Sequence, residues 1–142
     1  MLEDEEPEQP TEEPIWVPLE YVVKIHENQI EKYGGSPGVR DEGLLDSALK
    51  RPNHYWCYCS SDIFQLAAVY AWGLARNHPF NDGKKRTAFV TALVFLRFNG
   101  YCLEVQDQSQ IVEMMVRAVT GDISERELAI WFEKYSLPLE DD

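Results

Sequence analysis

Apolar residues recur every three or four positions along most of this chain, which is the spacing of one face of an α-helix. The pattern predicts a helix over residues 19–33, ended by Gly34 and Gly35, and a second, strongly apolar helix over 62–76. Residues 88–98 are apolar on nearly every face, so they predict a helix that others surround at the centre of a bundle.

The segment between the first two of these helices combines helical spacing with breaking residues. It predicts a short helix over 44–50 that halts near Pro52, followed by an aromatic-rich connection over 53–61. We expect the aromatic side chains of this connection to cover the core rather than to stack on a ligand; they are Tyr55, Trp56 and Tyr58.

The last third of the chain carries helix-start signals. Residues 101–105 alternate weakly and predict a short extended piece, and helices are predicted over 108–120 and 125–135. The predicted fold class is therefore all-α: a compact bundle of about six helices around a central apolar helix. Two capping boxes open the last two helices: Asp107 with Gln110, and Ser124 with Glu127.

Length and charge divide the chain into one domain and two polar ends. Residues 1–14 hold seven carboxylates, three prolines and no cation, which predicts a disordered acidic tail. Residues 15–137 are long enough for one helical domain, and 138–142 are predicted to form a disordered acidic C-terminus. The formal net charge of -12 argues against nucleic acid or an anionic membrane as the main partner.

The sequence also bears on the compartment. No apolar run reaches the roughly 18–20 residues that a membrane span needs, and the acidic N-terminus does not resemble a signal peptide. Three cysteines, Cys57, Cys59 and Cys102, form no disulfide framework. We therefore expect a cytoplasmic protein.

Residues 78–86, His-Pro-Phe-Asn-Asp-Gly-Lys-Lys-Arg, concentrate chemistry directly before the apolar helix. His78 titrates near neutrality and can take a proton from an attacking hydroxyl. Asp82 can hold Mg²⁺ by its carboxylate while phosphates supply other ligands. Gly83 has no Cβ and lets the backbone come close to a ligand at the helix N-terminus, where unpaired N–H groups attract anions.

Three cations follow, and their position is informative. Arg86 offers a planar fork suited to phosphate, and Lys84 and Lys85 add point charges. Cations at a helix N-terminus oppose the helix dipole, so the run indicates an anion site. The alternative is an ordinary solvated patch on a turn.

The motif His78-x-Phe80-x-Asp82-Gly83-x-Lys85-Arg86 resembles the signature of the Fic/Doc superfamily, and the lysine before the arginine resembles its Doc branch, the death-on-curing toxins of type II toxin–antitoxin modules. The likeness extends over about residues 17–135. It includes a second segment, Arg40-Asp41-Glu42-Gly43-Leu44-Leu45. The family fold is a compact helical bundle, in agreement with the prediction from periodicity.

The resemblance implies an enzyme. Doc-type members transfer the γ-phosphate of ATP to a hydroxyl of elongation factor Tu and so block translation, whereas most Fic enzymes attach AMP to a protein. The implied cofactors are ATP, as substrate, and Mg²⁺. By motif position, the implied catalytic residues are His78 as base, Asp82 as Mg²⁺ ligand and Arg86. The implied phosphate- or nucleotide-binding residues are Phe80, Asn81, Gly83, Lys84, Lys85 and Arg86, and the implied target flap is Arg40, Asp41, Glu42 and Gly43.

Lys84 departs from the family pattern, which has asparagine there. Lysine is longer than asparagine and only donates hydrogen bonds, so it either grasps a phosphate or fills the pocket and leaves an impaired module that binds nucleotide or antitoxin. The inhibitory motif Ser/Thr-x-x-x-Glu-Gly/Asn of many Fic proteins is absent, because Met114 follows Ser109-x-x-x-Glu113. Restraint is therefore expected in trans, from a separate antitoxin protein.

Overall fold

The computed structural model describes residues 13–59, 62–77, 79–105 and 107–139, except the side chain of Gln108. Within these ranges it has six helices and one two-stranded antiparallel sheet, which confirms the all-α class. None of the described helices is both long and apolar enough to cross a membrane. The helices are α1 (Leu19–Tyr33), α2 (Glu42–Tyr58), α3 (Ile63–Arg76), α4 (Lys84–Phe98), α5 (Gln108–Thr120) and α6 (Glu125–Tyr135), and the strands are β1 (Tyr101–Leu103) and β2 (Ser136–Pro138).

The helix at the centre of the bundle is α3, not α4 as the apolar run over 88–98 predicted. Ten of the fourteen residues of α3 are buried, and α2, α4 and α6 all pack against it. Helix α4 buries one face, while Arg97 and several neighbours reach the surface or lie half-buried. The small residues of α3 explain the difference, since alanine and glycine let the neighbouring helices approach its axis from several sides.

Helix α2 is longer than predicted, because it continues through Pro52 to Tyr58. Proline removes one backbone hydrogen bond, but Pro52 is itself buried together with Leu45 and Ala48 on the face that α3 covers. Packing therefore holds the helix together across the break. The expected covering role is confirmed for Tyr55 and Trp56, which pack against the core, and is wrong for Tyr58, which is 84% exposed.

The C-terminal helices begin and end as predicted. Ser124 and Glu127 form a reciprocal capping box at the start of α6. Asp107 caps α5 only one way, by accepting a hydrogen bond from the backbone N–H of Ser109, so a capping box with Gln110 is not formed. Gly121 ends α5 in the left-handed conformation.

Both ends of the domain attach near the C-terminal end of α4. The side chain of Asn99 exchanges hydrogen bonds with the backbone of Ile15, and the buried N–H of Val17 donates to the Tyr70 hydroxyl. The predicted disordered ends are therefore too long. Pro14 is buried, and Pro138 pairs with Tyr101 across the small sheet. Residues 1–12 and 140–142 lie outside the described residues.

Helix α1 is held in the fold mainly by one neighbouring helix. It packs mainly against α4, with Val22, Ile25, His26 and Gln29 buried. The loop after α1 then crosses the N-terminal side of α4, which brings residues 34–36 beside residues 82–86. This crossing places the start of α4, where the chemistry-bearing residues cluster, against the end of α1.

Candidate active site

A cleft of about 750 Å³ lies where the start of α4, the end of α1 and one face of α5 meet. One wall is polar and cationic, and the opposite wall is apolar and comes from α5. We call this space the site cleft. Its lining residues from the motif are Asn81, Asp82, Gly83, Lys84, Lys85 and Arg86; the others are Tyr33, Gly34, Gly35, Phe89, Ile111, Val112, Met115 and Val116.

Residues 81–83, which we call the site turn, lead into α4. Gly83 takes the N-cap position with φ 76° and ψ 14°, a left-handed conformation that only glycine adopts readily. A Cβ atom there would lie 3.2 Å from Cδ1 of Ile30, so space is also short. Gly83 itself has no side chain with which to cap the helix. The first-turn N–H groups of α4 are therefore available to an anion in the cleft.

The carboxylate of Asp82 has a fixed direction. The backbone N–H of Ser36 donates a hydrogen bond of 2.8 Å to its Oδ2 atom. Asp82 is exposed and lines the cleft, and among the described residues Ser36 is the one partner of its side chain. Its Oδ1 atom can therefore bind a cation together with ligand oxygens, as Mg²⁺ sites with one or two protein carboxylates do.

A residue of α1, His26, contacts the backbone of the site turn from the core side. The Nε2 atom of His26 lies 2.7 Å from the carbonyl oxygen of Asp82, and the His26 ring stacks on Phe80 with centroids 3.9 Å apart. His26 and Phe80 are each only 2% exposed. Phe80 is thus the core anchor of the motif segment and does not line the cleft, and its expected role in binding the nucleotide stays a prediction.

The three cations occupy different surroundings. Burial lowers the pKa of Lys84, and the like charges of Lys85 and Arg40 lower it further. The guanidinium of Arg86 lies 5.1 Å from the Tyr33 ring centroid and within 3.4 Å of the Gly34 carbonyl oxygen. Arg86 therefore rests on the end of α1, while Lys84 lies near the like charges of Lys85 and Arg40.

The expected target flap lies beside the site turn rather than over it. Val39 pairs with Phe80 in an isolated bridge, and the backbone N–H groups of Arg40 and Asp41 both donate to the carbonyl oxygen of Pro79. Asp41 then caps α2, and Glu42 and Gly43 form its first turn. None of these flap residues lines the cleft.

Most of the predicted site is brought together. Asn81 lines the cleft and donates to the Pro37 carbonyl oxygen at 3.4 Å, next to Asp82, Gly83 and the cations. His78 lies outside the described residues, so its role as base stays a prediction. In the described ranges no group of three His, Cys, Asp or Glu side chains could hold a metal ion alone.

Sequence reasoning missed the apolar wall of the cleft. Val112 and Val116 are 63% and 42% exposed, whereas Met115 and Ala118 of the same helix are buried in the core. Apolar residues in adjacent pairs, Ile111 with Val112 and Met115 with Val116, make the apolar stripe of α5 wider than core packing requires. That width was the available signal.

Comparison with known proteins agrees with this geometry. A model of the Fic/DOC family matches residues 16–96. The chain is 39% identical over 106 residues to "Protein kinase doc" of Escherichia phage P1, covering 74% of this chain and 82% of that protein. It is also 39% identical over 93 residues to "Toxin Doc" of Mycolicibacterium smegmatis, covering 63% of this chain and 72% of that protein.

The family model matches more than half of the chain, and the chain is a helical bundle with this turn at the start of α4. The chain therefore belongs to the Fic/DOC family. Within the family, the two relatives and the Lys85-Arg86 pair place the chain in the Doc branch.

Proposed function

We propose that this protein is the toxin of a toxin–antitoxin module and transfers the γ-phosphate of ATP to a hydroxyl of a protein target such as elongation factor Tu. A relative that covers most of this domain is named a protein kinase. Blocking translation through that factor would require action in the cytoplasm.

One observation carries the proposal: the Asp82 carboxylate, the Gly83 turn and three cations line the same cleft at a helix N-terminus. A triphosphate needs this combination of backbone N–H groups, positive charge and a hard oxygen ligand. An ordinary solvated patch would not need a carboxylate fixed by Ser36 or a glycine at φ 76°.

Several residues of the cleft have a role in the proposed reaction that follows from their position. Gly83 and the first turn of α4 bind phosphate oxygens through backbone N–H groups, and Lys85 and Arg86 add charge-assisted hydrogen bonds. Mg²⁺, held by Asp82 and the phosphates, would neutralise charge that develops during transfer. Because Ser36 already orients the carboxylate, little reorganisation is needed when the nucleotide binds.

The motif assigns the proton transfer to His78. The hydroxyl of the target loses its proton to the imidazole as its oxygen bonds to the γ-phosphorus, and the bond from that phosphorus to the bridging oxygen breaks, which releases ADP. The flap segment beside Pro79 and Phe80 would hold the target next to the turn, since Arg40 and Asp41 are hydrogen-bonded to that strand-like segment.

An antitoxin in trans would restrain the activity. The exposed valines of α5, Val112 and Val116, give the cleft an apolar wall that an amphipathic segment can cover. The cationic wall opposite would favour acidic residues on that segment.

The deciding experiment follows the label. The protein is incubated with Mg²⁺, purified elongation factor Tu and ATP labelled at either the γ or the α position. Transfer from the γ position supports the proposal. Transfer from the α position would instead assign AMP transfer, and a His78→Ala protein with undiminished transfer would overturn the assigned base.

A second candidate is a module that binds nucleotide or antitoxin without chemistry. It is favoured by Lys84, which lines the cleft directly after Gly83 and lies near the like charges of Lys85 and Arg40. Comparing the chain with Lys84→Asn separates the two functions. Growth arrest and transfer by the asparagine variant alone would assign the binding module, whereas transfer by both proteins supports the enzyme.

A further inference from the structure

His26 lies on α1, 56 positions before the site turn, yet it contacts that turn directly. Its Nε2 atom is 2.7 Å from the carbonyl oxygen of Asp82. A carbonyl oxygen only accepts, so Nε2 must carry the proton and donate it. The buried imidazole therefore does more than fill space in the core: its Nε2–H group donates a hydrogen bond to the backbone of the site turn.

The ring of His26 is fixed by its packing. It is 2% exposed and stacks on Phe80 with an angle of 8° between the ring planes. Its Cδ2 atom also lies 3.7 Å from the place where a Cβ on Gly83 would be. The imidazole therefore contacts Phe80 and the Asp82 carbonyl and lies beside Gly83, and it has few alternative rotamers because it is buried, stacked and hydrogen-bonded.

We infer that His26 is a positioning residue, which sets the direction of the Asp82 carboxylate and the Gly83 N-cap by holding the peptide group between them. The catalytic part of this inference rests on the proposed phosphotransfer. Asp82 has two anchors: Ser36 holds its side chain and His26 holds its backbone. With the backbone anchor removed, the carbonyl of Asp82 can rotate, and the carboxylate and the first N–H groups of α4 rotate with it.

Two substitutions separate the hydrogen bond from the ring. His26→Phe keeps an aromatic ring to stack on Phe80 but has no donor. His26→Gln loses the ring, but its amide nitrogen reaches nearly as far from the backbone as Nε2 and can donate to the same carbonyl. Val22→Ala is the matched control, because Val22 is fully buried on the same helix and its side chain carries no hydrogen-bonding group.

The first readout needs no catalysis. Hydrogen exchange of the Ser36 amide, followed by NMR, reports the hydrogen bond to Oδ2 of Asp82. We expect His26→Phe to speed this exchange about 10-fold or more relative to the parent protein. His26→Gln should restore slow exchange, and Val22→Ala should leave it slow even though it lowers the melting temperature.

The second readout is γ-phosphate transfer, measured as kcat and KM for ATP. We expect His26→Phe to lower kcat about 10- to 100-fold with a small change in KM, because misplacing catalytic groups costs rate more than ground-state binding. His26→Gln should recover most of kcat, and Val22→Ala should retain it at a temperature where the protein is folded.

The outcomes are distinguishable. Unchanged Ser36 exchange in His26→Phe would overturn the positioning role, as would equal acceleration in Val22→Ala, which would mean general loosening. Failure of His26→Gln to restore exchange would assign the role to the ring rather than to the donor and would also overturn the inference. If the parent protein transfers no phosphate, the proposed function fails while Ser36 exchange still decides the role of His26.

Discussion

A Cβ atom placed on Gly35 would lie 3.0 Å from the Cβ atom of Asp82, which is tighter than nearly all real Cβ contacts. The loop after α1 therefore passes against the site turn with little room for a side chain, and Gly35 also has φ 118°. This contact and the Ser36 hydrogen bond come from adjacent residues, so the same short piece of backbone both orients and confines the carboxylate.

Gly35→Ala should displace Asp82 and lower phosphate transfer about 10-fold or more, because a shift of even part of an ångström disturbs an aligned site. Gly100→Ala is the control: its φ of 94° imposes similar strain, but no atom lies within 4 Å of the added Cβ. Both variants should lose stability, measured by thermal unfolding. Equal transfer rates in the two variants would contradict the contact as the cause.

At alkaline pH, where Lys84 is partly deprotonated, Lys84 should take up a proton when a polyphosphate binds. Its pKa lies below the ordinary 10.5 because of burial and then the charges of Lys85 and Arg40, and a nearby anion favours the charged form. As pH rises through this lowered pKa, nucleotide affinity should therefore fall. Calorimetric titration of ATP in two buffers with different ionisation heats measures the uptake. The uptake should vanish in Lys84→Met; persistence there would assign the proton to another group.

Tyr70→Phe should destabilise the fold by about 1–3 kcal/mol, since it leaves the buried N–H of Val17 without its acceptor. Urea unfolding measures the loss. Tyr101→Phe, whose hydroxyl has no hydrogen bond in the part of the chain that the structure describes, should cost much less. A loss in Tyr70→Phe no larger than in Tyr101→Phe would mean that water replaces the hydroxyl.

Ionisation of the same tyrosine should lower the stability of the fold at alkaline pH. Burial raises the pKa of Tyr70 to about 12, while the hydrogen bond from Val17 opposes this rise. The neutral phenol is thus favoured in the folded state. Its contribution to stability is complete below pH 10, the ordinary pKa, and is lost as pH rises towards 12. Between these values the free energy of unfolding should fall more steeply for the parent protein than for Tyr70→Phe.

Gly73→Ala should stabilise the protein by about 0.5–1 kcal/mol, although Gly73 is buried where α2 and α3 pack together. The added Cβ would lie 3.7 Å from the Cβ of Ala48 and 3.8 Å from its carbonyl oxygen, which are ordinary contact distances. The gain comes from the lower backbone entropy of the unfolded chain. A fall in melting temperature would show that the two helices cannot accommodate even one methyl group.

Helical periodicity was sufficient for most of the fold because it reports which face of a segment is buried. Helix α6 and its capping box were predicted from local signals alone. Helix α2 was cut short at Pro52, because the packing that carries a helix through a proline depends on α3 and cannot be read locally. The choice of the central helix failed for a similar reason: small residues in α3 determine how closely helices approach, and hydrophobicity alone does not reveal this.

In the candidate site, too, some residues could be predicted from the sequence and others could not. The motif residues that line the cleft are contiguous, so spacing and resemblance predicted Asn81, Asp82 and Gly83. The residues that support them are not contiguous. Ser36 acts through a backbone N–H, which any residue type supplies, and His26 lies on an apolar stripe where a packed histidine is the ordinary interpretation.

Helix α1 supplies the loop and the histidine that hold the site turn, yet it packs mainly against α4 alone. The bundle of α2, α3, α4 and α6 does not depend on α1 for its own contacts. Detachment of α1 would therefore abolish the aligned carboxylate while most of the helical structure survives. On warming, activity should disappear before the circular dichroism signal does, so the protein would be inactivated reversibly at temperatures at which it is not yet denatured.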